Sequence, residues 1–232
     1  MASPKFFFPN AFANSVGSLA VITASNSIAA PWQLFFKRLF DIGGGIIGCL
    51  ITLCIYPFVA IKIKKADPGP IIFGQMRIGK NGRQFRLYKF RSMFVDAEER
   101  KKDLMDQNEV AGPMFKIKDD PRIIPGIGKF IRNYSIDELP QFFNILKRDM
   151  SLVGTRPPTI EEFEHYEAHH KARLSFKPGL TGLWQVSGRN RIDDFERVVF
   201  LDKKYIEKWN LREDIKILAK TVIVVLQRKG SM

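Results

Sequence analysis

The sequence predicts a small mixed α/β unit seated on an apolar, membrane-inserted helix, with an amphipathic helix at its far end. Three observations carry that expectation. The run Ile42 to Ala60 contains no charged side chain. Short β-prone runs separated by Gly, Pro and Asn turns follow it. From Leu211 onward, apolar residues recur at helical spacing with basic residues between them.

The apolar run comes first. Its nineteen residues are about enough for a helix to cross a hydrocarbon core of roughly 30 Å. Lys37 and Arg38 precede it, and Lys62, Lys64 and Lys65 follow it. A spanning helix usually carries its basic excess at one end, whereas here both ends are basic. Pro57 interrupts the helical hydrogen-bond ladder inside the run. Two arrangements satisfy these facts: a re-entrant hairpin returning to the same leaflet, and a spanning helix kinked at Pro57. A buried helix of a soluble protein fits less well, because each residue of Gly43-Gly44-Gly45 costs about 0.5–1 kcal/mol of helix stability relative to Ala. Cys49 and Cys54 lie on different helical faces and are read as unpaired packing residues.

Beyond the run, Ala66-Asp67-Pro68-Gly69-Pro70 reads as a turn. Ile71-Ile72-Phe73 and Phe85 to Phe90 read as strands joined through Gly79-Lys80-Asn81-Gly82. Val95 to Val110 is expected as a charged, solvated helix. In the final helix, Leu211, Ile215, Leu218, Val222, Val225 and Leu226 form an apolar stripe flanked by Arg212, Lys216, Lys220 and Arg228. That pattern suits a helix lying in a membrane interface against anionic lipids, and equally a helix packed on the core. Residues 1–35 read as a linker or the remnant of a preceding domain, 36–66 as the membrane segment, and 67–232 as the functional unit.

The net charge of +13 across 232 residues calls for an anionic partner: nucleic acid, an anionic membrane or a phosphorylated small molecule. Nucleic acid is set aside, because the sequence holds no motif for it and the uncharged run does not fit. His165 and His169 share a helical spacing. The zinc-protease pattern would need Glu after the first His, where Tyr166 stands.

The chemistry centres on Ser135-Ile136-Asp137-Glu138-Leu139-Pro140-Gln141. Ser135 followed by Glu138 fits a capping box, which puts Asp137 and Glu138 in a helical first turn. Helix-dipole stabilisation explains such acids without any catalytic role. The same position also suits a nucleophilic carboxylate beside a phosphate site. A carboxylate attacking phosphate needs cations nearby; Arg132 and Arg156 offer forked donors, and a divalent metal would add to the screening.

At these residues the chain resembles the bacterial sugar transferases, the monotopic phosphoglycosyl transferases of polysaccharide assembly. The resemblance runs from about Phe36 to Gly230. It rests on six blocks in order: Phe36 to Asp41, Leu87 to Met93, Ser135 to Gln141, Asp149 to Pro157, Lys177 to Gly182 with Gln185 to Asn190, and Asp214 to Ile217. It implies a small catalytic α/β unit on a re-entrant membrane helix with interfacial amphipathic helices, facing the cytoplasm at the bacterial inner membrane. It further implies transfer of a hexose-1-phosphate from a UDP-sugar, UDP-glucose or UDP-galactose, to undecaprenyl phosphate with release of UMP. By resemblance Asp137 is the nucleophile and Mg²⁺ contact, with Glu138 its partner. Lys89, Arg132 and Arg156 bind phosphate, Asp214 matches a late family aspartate at the substrate, and Gln185 and Arg189 are donor-binding candidates. Homo-oligomerisation is left open.

Overall fold

The computed structural model describes residues 30–227 except 110, 111, 116, 118, 189–191 and 193. Helix α1 runs from Pro31 to Ala66. A β-hairpin follows, with β1 (Ile72–Ile78) antiparallel to β2 (Gln84–Phe90). The connecting turn uses Asn81 at φ 56°, a left-handed conformation that Asn tolerates. Next come α2 (Ala97–Asp103), α3 (Ile127–Asn133), α4 (Gln141–Leu146), β3 (Ser151–Val153), α5 (Ile160–Glu164), β4 (Gly179–Thr181), α6 (Leu183–Val186), α7 (Phe195–Glu207) and α8 (Leu211–Leu226). β3 and β4 pair in parallel, Ser151 beside Gly179 and Val153 beside Thr181. The expected α/β mixture is therefore present. The charged segment forms a shorter helix than expected, giving way after Asp103 to a 3₁₀ turn at Met105–Gln107. Cys49 and Cys54 are unpaired.

Helix α1 starts before the boundary expected at residue 36. Pro31 opens it, as proline suits a first helical position, and the Gln33 side chain accepts from the Ala30 N–H at 3.0 Å. One face of α1 seats on the rest of the chain along its length. Its buried residues are Lys37, Asp41, Gly45, Gly48, Val59, Ala60 and Ile63, a spacing of three to four that defines one helical stripe. Leu39, Ile47, Leu50, Leu53, Phe58 and Ile61 stand exposed. The helix is long and apolar enough to cross a membrane by length and composition.

The residues expected as membrane-facing flanks do something else at the N-terminal end. Lys37 is 6 % exposed; its Nζ donates to Asp214 Oδ2 at 2.6 Å and to the Val153 carbonyl at 3.0 Å. Arg38 donates to the Ile145 and Leu146 carbonyls at 2.8 and 3.0 Å, capping the end of α4. Asp41 Oδ1 accepts from Ser151 Oγ at 2.8 Å and Leu152 N–H at 2.9 Å. The glycines serve the same contact. A Cβ on Gly45 would lie 2.7 Å from Leu146 Cδ2, and one on Gly48 2.2 Å from the Phe142 ring.

A break is expected at Pro57; α1 continues through it as one helix, and Pro57 is exposed. Beside it Val59 and Ile63 pack with Phe90 and Ile131, and Tyr56 meets Phe90 with ring centroids 6.0 Å apart. These contacts seat the second half of the helix on β2 and α3.

The main core gathers Phe85 and Leu87 of β2, Ile145 of α4, Leu152 and Val153 of β3, Tyr205 of α7 and Ile217 of α8. β3 and β4 approach so closely that a Cβ on Gly154 would meet the Lys177 carbonyl at 2.2 Å, and one on Gly179 the Gly154 nitrogen at 2.0 Å. On α8, Ile217 and Asp214 face this core while Ile215, Val222, Ile223 and Leu226 are exposed. The last helix thus packs on the core by one face, as one of the two expectations had it, and presents an apolar strip on the other.

Candidate active site

Asp137 and Glu138 occupy a turn whose neighbours hold it from both sides. α3 closes with the Tyr134 N–H on Phe130 O and the Ser135 N–H on Arg132 O. Ser135 then takes the left-handed conformation, φ 54° and ψ 23°. Ile136–Glu138 forms a single 3₁₀ turn before α4. Ile136 and Leu139 pack against the cluster of Phe90 and Ile131, so the acids are carried between two apolar anchors. The expected capping box is absent: Ser135 makes no side-chain cap bond, and the turn is too short to be a helical first turn. A left-handed non-glycine residue costs of order 1–3 kcal/mol and persists where the surroundings impose it.

Lys89 on β2 meets this turn. Its Nζ donates to Glu138 Oε1 at 3.0 Å and lies 3.9 Å from Asp137 Oδ2. Asp137 is 7 % exposed. Two carboxylates and one ammonium thus converge, with the strand and the turn both rooted in the apolar cluster of Phe90.

Arg156 follows the β3–β4 contact and turns its fork onto Glu162, Nη1 to Oε2 at 2.8 Å and Nη2 to Oε1 at 3.0 Å. Glu162 is set in place by a true capping box at the start of α5: its N–H donates to Thr159 Oγ1, and its carboxylate accepts from the Thr159 N–H, both at 2.9 Å. Arg77 of β1 lies 3.7 Å from the same carboxylate and donates to Pro157 O at 3.1 Å. Burial alone would raise the Glu162 carboxyl, but the Arg156 fork, with Arg77 and the Thr159 N–H behind it, outweighs burial and holds it at about 2. Burial, joined by repulsion from Arg156, lowers Arg77 to about 10. The Glu138 charge acts on both Arg77 and Arg156, which links this group electrostatically to the Asp137–Glu138 turn. Arg77 and Glu162 were missed in the sequence reading. The Thr159-x-x-Glu162 pattern was the available signal for the second; nothing local marks the first.

Arg156 is braced from behind. Arg173, fully enclosed, bonds Asp202 Oδ2 at 2.7 Å and the Tyr166 hydroxyl at 2.6 Å. Its own carbonyl accepts from Thr155 Oγ1 at 3.1 Å.

The other candidates lie elsewhere. Arg132 is half-buried at the end of α3, and its charge acts on Asp120, which Arg122 grips at 2.6 Å. Gln185 on α6 donates to Leu180 O at 3.4 Å, and its Oε1 is buried without a partner. Arg189 lies outside the described residues. Asp214, expected at the substrate, is 1 % exposed. Its oxygens accept from Lys37, from Tyr205 at 2.7 Å and from Trp209 at 3.3 Å. These bonds tie the start of α8 to α1, to α7 and to the turn at Trp209.

His165 and His169 do not share a helix face, because α5 ends at Glu164. Among the described residues, His169, His170 and Glu196 come together. The Glu167 N–H donates to His170 Nδ1 at 3.0 Å, which leaves the ring proton on Nε2, facing Glu196 Oε1 at 2.6 Å. Both ring nitrogens of His170 are thus engaged, and the group reads as a hydrogen-bonded cluster.

A buried aspartate, a partner glutamate and a lysine within 4 Å of both converge on one turn, with the Arg77–Arg156 pair around Glu162. The chain belongs to the bacterial sugar transferase family, whose model matches residues 32–228. It is 57% identical over 212 residues to the galactosyl transferase CpsE of Streptococcus agalactiae serotype III, covering 91% of this chain and 47% of that protein. It is 43% identical over 215 residues to the undecaprenyl-phosphate galactose phosphotransferase of Salmonella typhimurium, covering 91% and 44%. Against the exopolysaccharide production protein ExoY of Sinorhizobium fredii it is 37% identical over 199 residues, covering 84% and 87%. The chain therefore spans under half the length of the first two relatives and most of the third.

Proposed function

We propose that this chain is a phosphoglycosyl transferase unit that moves a hexose-1-phosphate from a UDP-sugar to undecaprenyl phosphate. The observation that carries the reading is the convergence of Asp137, Glu138 and Lys89, with contacts of 3.0 and 3.9 Å. In the first step a carboxylate oxygen of Asp137 attacks the β-phosphorus of the donor. An Asp–O–P bond forms as the bond to the α-phosphate oxygen breaks, and UMP leaves. In the second step an oxygen of the acceptor phosphate attacks the same phosphorus and expels the Asp137 carboxylate. Dividing the displacement lets one site serve a water-soluble donor and then a lipid acceptor. Lys89 and Arg156 supply positive charge for the donor phosphates.

Two carboxylates facing one cation are also a fit donor set for Mg²⁺, which takes oxygen ligands through one or two carboxylates plus substrate phosphates. Asp137 and Glu138 would hold it, and it would supply screening of charge between nucleophile and diphosphate. Lys89 would then turn from the acids to the substrate.

α1 favours a monotopic seat at the cytoplasmic face of the inner membrane. Its contacts run from Lys37 to Ile63, about 39 Å at 1.5 Å per residue. A helix crossing the bilayer would draw the attached body into roughly 30 Å of hydrocarbon. UDP-galactose is the first donor to test, with UDP-glucose beside it, since two of the three relatives above carry galactose in their names. The test is UMP release across a panel of UDP-sugars, with intact-protein mass measured before acceptor is added. A sugar-phosphate adduct on Asp137 is the expected result; UMP release without acceptor dependence or adduct would overturn the two-step reading.

A further inference from the structure

Two guanidinium groups share a single carboxylate beside the acidic turn. Glu162 takes both bonds of the Arg156 fork, at 2.8 and 3.0 Å, and a third from the Thr159 N–H. Arg77 stands 3.7 Å from the same carboxylate, beyond hydrogen-bond distance. Its own fork donates to neutral acceptors, the Pro157 carbonyl at 3.1 Å and Gln75 Oε1 at 2.7 Å, and its Nε is buried without a partner. These bonds orient the group without cancelling its charge. We propose that Arg77 is a donor-binding residue, which closes with Arg156 on the α-phosphate of the UDP-sugar. The inference rests on the transferase reading above and adds to it a cation that the reading does not use.

Position supports the assignment. In the hairpin Phe73 lies opposite Lys89, and Arg77 opposite Phe85. Residues 73 and 77 share a face of β1, and opposed residues share a face of the sheet, so Arg77 and Lys89 project from the same side. Lys89 ends on the acids, where the β-phosphorus is attacked. Arg77 and Arg156 end on Glu162, and the Glu138 charge acts on both. A diphosphate with its β-phosphorus at Asp137 has its α-phosphate as the next anion along, and the arginine pair is the matching pair of cations.

The charge balance points the same way. Burial, with repulsion from Arg156, lowers Arg77 to about 10, so the two cations are held together against an opposing force. A phosphate between them would relieve it. As the bridging P–O bond breaks, its electron pair stays on the α-phosphate oxygen, which leaves in UMP. A guanidinium already oriented there acts where negative charge develops. The Arg77 and Arg156 side chains remain 13 % and 24 % exposed, which leaves each an edge for a phosphate to meet.

Comparing UMP with uridine isolates the phosphate contact. Both affinities are measured by displacement of a fluorescent UDP analogue from the protein in nanodiscs. Arg77→Met should weaken UMP binding at least about tenfold and leave uridine binding near wild type. Arg77→Lys keeps the charge but loses the fork, so its UMP affinity should fall between the two, and it carries the comparison if the Met variant gives no cooperative melt. Arg86→Met removes a charge from the opposite, exposed face of the hairpin and should leave the ratio of the two affinities unchanged. Equal losses for UMP and uridine in the Arg77 variants would make Arg77 a structural residue only and overturn the proposal. So would an unchanged UMP affinity, or an equal loss in Arg86→Met, which would show a general field in place of a contact. Failure of the wild type to release UMP from any UDP-sugar, with UMP binding intact, would instead overturn the transferase reading.

Discussion

Asp137 and Glu138 are neighbours on one 3₁₀ turn, so their side chains diverge by about 120° and cannot do the same job. Asp137→Asn keeps the shape but removes the attacking carboxylate, so UMP release and the covalent adduct should both vanish. Undiminished turnover in that variant would leave the acids as structural turn residues. Glu138→Gln loses the charge that holds Lys89 yet leaves the nucleophile, so it should slow turnover while an adduct still forms. Arg156 is a sharper case. Its two-point grip on Glu162 needs a planar fork, which Lys does not have. Arg156→Lys should lower both the melting temperature and kcat/KM for the UDP-sugar, by an estimated 2–3 kcal/mol in the latter, about 30- to 150-fold. Full activity with unchanged melting would show that the fork is idle.

Within elements, α1 holds paired controls in its glycines. Gly43 has open space where a Cβ would sit, whereas at Gly48 that atom would overlap the Phe142 ring. Gly43→Ala should therefore stabilise by up to about 1 kcal/mol through helix propensity, and Gly48→Ala should destabilise by about 1–3 kcal/mol through overpacking. Thermal unfolding in detergent distinguishes the two. α5 carries a pH signature. Folding lowers Glu162 from its ordinary 4.5 to about 2. Its share of stability, about 3 kcal/mol at most, is complete above pH 4.5 and is lost as pH falls toward 2. Glu162→Gln should be less stable at pH 7 and should lose less stability between pH 5 and 2 than wild type, as read from denaturant midpoints across that range.

These elements also show where sequence reasoning reached and where it stopped. The hairpin, the amphipathic α8 and the Asp137–Glu138 turn were legible because alternation, 3.6-residue periodicity and turn formers act over a few residues. The pairing of Lys37 with Asp214 was not legible because they are 177 residues apart; a local reading sees a basic flank and a late acid, while their burial arises only when α1 and α8 meet. Pro57 is similar: its own chemistry reads as a break, while the packing of Val59 and Ile63 against Phe90 and Ile131, which seats the helix beyond it, comes from residues far along the chain.

On the scale of the whole molecule, α1 touches one body from Lys37 near its start to Ile63 near its end. Residues 33 and 64 should therefore be labelled from the same side of sealed vesicles when each is made a single cysteine in a chain lacking Cys49 and Cys54. Labelling from opposite sides would sink the monotopic seat. The buried pair between Lys37 and Asp214, 2.6 Å apart, carries a second consequence, for modularity. Removing one partner of such a pair leaves an uncompensated buried charge, at a cost of about 3–5 kcal/mol. A chain begun at residue 67 would lose Lys37, Arg38 and Asp41 together. It should fail to give a folded soluble enzyme, judged by the absence of a cooperative melt. In this protein the long apolar helix cannot be trimmed away or exchanged like a tag, because it is the spine on which the rest of the chain is assembled.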